Sequence, residues 1–98
     1  DLKINFLKHE AYLKEQPLGL TAIEFRLLGI FARDPNRVFS RAQLIEKAVG
    51  YDSEGFDRTV DVHIHNLRRK LESDSSQPKF IRTIYGAGYK FVTNDNGS

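Results

Sequence analysis

The sequence predicts an α+β fold, and three observations carry that prediction. Short alternating segments open and close the chain, three longer segments between them have helical periodicity, and no apolar run is long enough for a membrane span. With 98 residues there is room for one domain around a single core. At 40% hydrophobic and 29% charged residues, the composition is that of a folded globular chain rather than a disordered one. The expected organisation within residues 1–98 is an N-terminal sheet over 2–20, a helical core over 21–72, a hairpin over 79–92 and a frayed tail over 93–98.

The N-terminal sheet is read from Leu2 to Phe6, where Leu2, Ile4 and Phe6 alternate with Lys3 and Asn5, and from Ala11 to Lys14 after a polar turn at Lys8 to Glu10. Gln16 and Pro17 mark an edge or turn, because proline has no N–H for a central ladder. Thr21 followed three residues later by Glu24 is a capping-box pattern, and it opens a helix that Asp34-Pro35-Asn36 ends. On this helix Ile23, Leu27 and Ile30 fall on one side and Phe25, Leu28 and Ala32 nearly opposite. It therefore needs partners on two sides, expected to be the N-terminal sheet and the later helices.

Val38 and Phe39 can add a brief strand. Ser40 with Gln43 repeats the capping pattern and starts a shorter helix bearing Leu44, Ile45, Ala48 and Val49, ended by Gly50. Gly50 to Asp57 has two glycines, three acids and no periodicity, which makes it an acidic loop. From Asp57 or Arg58 to about Glu72 the pattern is helical again. Val60, Ile64, Leu67 and Leu71 form a narrow core stripe, and the opposite arc is centred on Val62 and Arg69, flanked by Arg58, His65 and Asn66, with Arg68 and Lys70 on its borders. After the polar stretch Ser73 to Pro78, Lys79 to Ile84 and Tyr89 to Val92 alternate as two strands around Gly86-Ala87-Gly88.

The order strands, helix, helix, loop, helix, hairpin is that of a helix-turn-helix followed by a two-stranded wing. Such an arrangement presents its last helix to the DNA major groove, with the hairpin beside it. Charge agrees: residues 58–90 carry seven Lys/Arg against three Asp/Glu, whereas residues 1–57 carry eight against nine. Arg58, Thr59, His65, Arg68 and Arg69 can reach phosphates, Asn66 can pair with an adenine edge, and Val62 can touch a thymine methyl. The competing reading is a winged helix that docks another protein through the same face or the acidic loop.

These residues carry a resemblance. Phe56 to Glu72 followed by Phe80 to Phe91 resembles the recognition helix and wing of the OmpR/PhoB family of response-regulator effector domains, and Leu20 to Leu28 and Val38 to Leu44 resemble that family's first helix and second-helix entrance. The resemblance covers nearly the whole chain. It implies a winged helix-turn-helix that binds direct-repeat promoter sites as a head-to-tail dimer, downstream of a receiver domain phosphorylated by a cognate histidine kinase. By matching positions it implies that Arg41 and Tyr89 join Arg58, Thr59, His65 and Arg68 at the sugar-phosphate backbone, and that Thr83 joins Asn66 at the bases. Arg82, Tyr85, Gly86 and Gly88 correspond to the wing. The loop holding Tyr51, Asp52 and Glu54 corresponds to the segment that contacts RNA polymerase.

Two positions depart from the family pattern. Tyr85 stands where close relatives often have an arginine that enters the minor groove, which shifts discrimination toward Asn66; Val49 stands where a tryptophan is common. The absence of methionine and the start at Asp1 suggest a piece of a longer polypeptide, with the receiver, or a sensor of another kind, upstream.

Other chemistry finds little support. There is no cysteine, hence no disulfide, thiolate zinc site or cysteine nucleophile, and a reducing cytoplasm is the expected setting without signal peptide or membrane contact. His63 and His65, two apart on a helix, point in different directions, so no metal or cofactor is expected. Gly86-Ala87-Gly88 precedes a strand rather than the helix that a phosphate loop requires. Asp57 and Asp61 read as acids favouring the positive end of a helix, and with no nucleophile or oxyanion donor beside them no catalytic residue is expected.

Overall fold

The computed structural model describes residues 2–49, 56–72 and 78–92, with residues 56–59 described by backbone alone. Three strands come first: β1 (Leu2–Asn5), β2 (Glu10–Leu13) and β3 (Gln16–Pro17) form an antiparallel sheet in the order β1-β2-β3. Leu2 pairs with Leu13 and Ile4 with Ala11, so the alternation read from the sequence puts these residues on the covered face. Pro17 lies opposite Tyr12 in the edge strand, where its missing N–H leaves no central ladder bond unmade. Lys14 and Glu15, both with positive φ, make the two-residue turn between β2 and β3.

Helix α1 (Ala22–Arg33) opens with the expected capping box: the Thr21 hydroxyl accepts from the Glu24 N–H at 3.2 Å, and the Glu24 carboxylate accepts from the Thr21 N–H at 3.0 Å. It does need two sets of partners. Phe25 stacks on His9 and meets Phe6 edge to face at the β1–β2 turn, while Phe31 meets Phe39 edge to face. Strand β4 (Val38–Phe39) follows, then α2 (Arg41–Val49), α3 (Phe56–Leu71), β5 (Ile81–Ile84) and β6 (Gly88–Phe91). The Ser40–Gln43 box at the start of α2 is reciprocal, with bonds of 2.9 and 3.1 Å. Helix α3 begins at Phe56, slightly earlier than its periodicity suggests.

The three helices pack on one another around Leu27, Leu28, Phe31, Leu44, Ile64, Leu67 and Leu71. The predicted stripe of α3 is the part buried: Val60, Ile64, Leu67 and Leu71 all lie in this core. Truncating Ile64, Leu67 or Leu71 to alanine removes packing worth about 2–5 kcal/mol.

The wing departs from a simple hairpin. Its sheet has three strands in the order β4-β6-β5, because the brief strand between α1 and α2 pairs with β6 through Val38 opposite Lys90 and Phe39 opposite Tyr89. Gly88 is held by that pairing: its φ is +143°, and a Cβ there would stand 2.0 Å from the Phe39 carbonyl oxygen. A second tie comes from the end of α3. The buried Glu72 carboxylate accepts from the backbone N–H groups of Lys79, Phe80 and Ile81 at 2.7, 2.9 and 3.0 Å. The wing is thus fastened at both its outer strands to the helical core.

Candidate nucleic-acid interface

Burying one stripe of a helix dictates what the opposite arc shows. On α3, Val62 is 55% exposed, His65 and Arg69 are exposed, and Asn66 is half-buried, so the face predicted for base and phosphate contact is open to solvent. Val62, apolar between polar neighbours, is thereby left as one of the exposed large hydrophobic side chains, available for contact on this arc. The α3 backbone carries Arg58 and Thr59 in its first turn, on the same helix. Tyr51, Asp52 and Glu54 fall outside the described residues.

The wing flanks this helix. A turn at Tyr85 to Ala87, closed by the Ala87 N–H bonding the Ile84 carbonyl at 2.9 Å, leaves Tyr85 93% exposed at the tip. Gly86 supplies the positive φ that the turn needs, at +81°. Arg82 is exposed on β5. A cleft lined by Ser40, Arg41, Thr83, Tyr85 and Tyr89 separates the N-terminus of α2 from the wing.

Two of the predicted contact residues are bonded to each other. Arg68 donates its Nε to the Ile81 carbonyl at 2.9 Å and an Nη to the Thr83 hydroxyl at 2.7 Å, and its guanidinium lies 5.3 Å from the centre of the Tyr89 ring. Arg68 thereby locks α3 to β5. Thr83 accepts from Arg68 and keeps its own hydroxyl proton for another acceptor.

Tyr89 is also committed within the protein. Its ring is buried and its hydroxyl donates to Asp61 Oδ1 at 2.6 Å. Burial, and then the hydrogen bond to the Asp61 carboxylate, push the phenol's pKa up, so it remains a donor at neutral pH. A phenol has one proton, and here it is spent on Asp61. The same oxygen of Asp61 accepts from Arg41 Nε at 3.0 Å. Asp61 is the residue the sequence reading passed over: it was legible as a helix-start acid, and nothing local announces partners 20 and 28 residues away.

On the far side of the helices, Lys70 donates to Glu24 Oε1 at 2.6 Å and to the Gly19 carbonyl at 3.1 Å. Lys70, on the border of the reading arc, thus fixes α3 against the start of α1 and is turned away from the wing.

Comparison with known proteins places this geometry. The family model described as "Transcriptional regulatory protein, C terminal" matches residues 15–91. The chain is 47% identical over 90 residues to the alkaline phosphatase synthesis transcriptional regulatory protein PhoP of Bacillus subtilis, covering 92% of this chain and 38% of that protein. It spans between about a third and two fifths of the length of such curated relatives. Among solved structures, it superposes with a TM-score of 0.84 and 30% identity on the Klebsiella pneumoniae RstA DNA-binding domain in complex with the RstA box, covering 93% of this chain and 90% of that one. The Thermotoga maritima response regulator DrrB, an OmpR/PhoB homologue, superposes at 0.85 with 32% identity, over 95% of this chain and 42% of that one.

Proposed function

This chain belongs to the C-terminal domain family of OmpR/PhoB-type transcriptional regulatory proteins, and from that premise we propose that it binds double-stranded DNA in a sequence-specific manner, with α3 in the major groove and the wing alongside. The observation that carries this is the two-sidedness of α3, whose apolar stripe is wholly buried while Val62, His65 and Arg69 stand exposed on the opposite arc. In this reading Arg41, Arg58, Thr59, His65 and Arg69 approach phosphates and set affinity and its salt dependence, while Asn66, Val62 and Thr83 bias sequence. Arg68 contributes by holding the wing to the helix, its Nε and one Nη being engaged there. Tyr85, exposed and uncharged, packs against sugar instead of adding a cation to the minor groove.

The intact protein, in the same reading, places a receiver domain upstream that a histidine kinase phosphorylates. Two copies then sit head to tail on direct repeats, and the loop with Tyr51, Asp52 and Glu54 touches RNA polymerase. The chemistry of this chain is binding. No described helix is long and apolar enough to cross a membrane.

In-vitro selection from a random duplex library tests the proposal, because it returns a half-site and its spacing together. A motif of two direct repeats about one helical turn apart is the expected result. No enrichment, with no association to random duplex at low salt, would point to a protein-docking role instead.

A further inference from the structure

We propose that Asp61 is a positioning residue that aims the Arg41 guanidinium at the DNA backbone, and that Tyr89 serves DNA binding by holding Asp61 rather than by touching a phosphate. The proposal rests on the reading of Arg41 as a backbone contact and adds what makes that contact effective. An arginine presents five N–H donors in a rigid planar fork. Asp61 takes the Nε–H, at 3.0 Å, and the Tyr89 hydroxyl lies close by, but the side chain is 55% exposed and the five donors of the fork leave Nη hydrogens for a further acceptor. One edge of the fork is anchored in the protein while the other faces solvent beside the wing cleft that Arg41 lines.

The anchor itself is rigid. Tyr89 comes from the central strand of the wing sheet, its ring is buried, and its hydroxyl fixes the same Asp61 oxygen at 2.6 Å. The relay runs from a buried ring through a carboxylate to an exposed cation, joining β6, α3 and α2. A free arginine loses rotamer freedom when it grips a phosphate, and one already held loses less. The carboxylate opposes this gain through its charge, since it stands near a polyanion. Asparagine separates the two effects: Asp61→Asn removes the charge and keeps an acceptor for Arg41 and Tyr89, whereas Asp61→Ala removes both.

The test compares those two variants, equal in net charge, for affinity to one specific duplex, in the wild-type background and again with Arg41→Ala. The expected result is that Asp61→Ala binds about two- to tenfold more weakly than Asp61→Asn, that the gap closes when Arg41 is absent, and that it narrows in Tyr89→Phe, where an undiminished gap would overturn the role given to Tyr89. Equal affinities for the Asn and Ala variants would overturn the proposal, as would a gap that persists without Arg41, which would mean that Asp61 acts through the fold. Arg41→Ala alone judges the underlying reading: it is expected to make the slope of log affinity against log salt shallower by about 0.9. An unchanged slope would dismiss Arg41 as a phosphate contact and the proposal with it. Melting curves accompany each variant, and Asp61→Leu, which likewise lacks charge and acceptor, takes the place of Asp61→Ala if the latter melts within the assay range.

Discussion

Glu72 is where the stability of the wing can be measured most directly. Its two carboxylate oxygens accept three consecutive backbone N–H groups, from Lys79, Phe80 and Ile81, at the point where the chain enters β5. Replacement by alanine leaves these donors without their acceptor. The N–H of exposed Lys79 can turn to water, whereas those of half-buried Phe80 and buried Ile81 lie where water has little access. A buried donor left unsatisfied costs about 1–3 kcal/mol, so two such groups make Glu72→Ala destabilising by roughly 2–6 kcal/mol. That is a large share of the 5–15 kcal/mol typical of a domain. Glu72→Gln keeps one oxygen and should cost about 1 kcal/mol, or roughly 4–8 °C in melting temperature for a domain of this size. Urea unfolding followed by circular dichroism gives both values from the transition midpoints. If Glu72→Ala fell within about 0.5 kcal/mol of wild type, the value ordinary for a neutral surface change, the tie between α3 and the wing would carry no energy and the reasoning would fail.

The remaining predictions concern reading, turn chemistry and pH. Arg58→Ala should weaken binding to all duplexes alike and make the salt slope shallower by about 0.9, as titrations at several salt concentrations would reveal. Asn66→Ala should instead flatten the preference at one base pair by about 1–3 kcal/mol, and selection returning an unaltered motif would remove Asn66 from base readout. Gly88→Ala should open the β4–β6 pairing, because its Cβ would collide with the Phe39 carbonyl at 2.0 Å; amide exchange in β4 and β6 should speed up while α1 stays protected, and an unaltered exchange pattern would count against the clash. Burial alone would raise the Glu24 carboxyl, but the hydrogen bonds and charge of Lys70 and the Thr21 donors outweigh it and hold its pKa below the usual value. With a folded-state pKa lowered, its contribution is present above the unfolded pKa and lost as pH falls through the folded one, so Glu24→Gln should lose stability at neutral pH and less in strong acid. A destabilisation of equal size at both pH values would contradict that assignment.

How much could be read in the chain depended on how far apart the interacting residues lie. The capping boxes at Thr21–Glu24 and Ser40–Gln43, the Val60–Leu71 stripe and the open arc at Val62 and Arg69 all span a few turns of one helix, and periodicity finds them. The family resemblance supplied Arg41, Thr83 and Tyr89. Neither route disclosed what these residues do to one another. The Asp61 link to Arg41 and Tyr89, the Arg68 bond to Thr83 and the Lys70 bond to Glu24 join elements 15 to 46 positions apart. For a charged side chain, a helical wheel reports a direction and says nothing of the partner waiting there. Arg68 illustrates this, since a border position on the wheel served equally well for a phosphate ligand and for the bolt that fastens the wing.

The strand between α1 and α2 has a consequence for how the molecule assembles. Because β4 pairs with β6 across about half the length of the chain, the wing cannot be completed by its own hairpin. Formation of that sheet must wait until the helices have brought Val38 and Phe39 to Lys90 and Tyr89. The wing is therefore expected to be a late structure on the folding route, and a poor one to transplant. A peptide covering only β5 and β6 would be a two-stranded ribbon without the strand that covers its Tyr89 side, and such isolated hairpins are marginal in water.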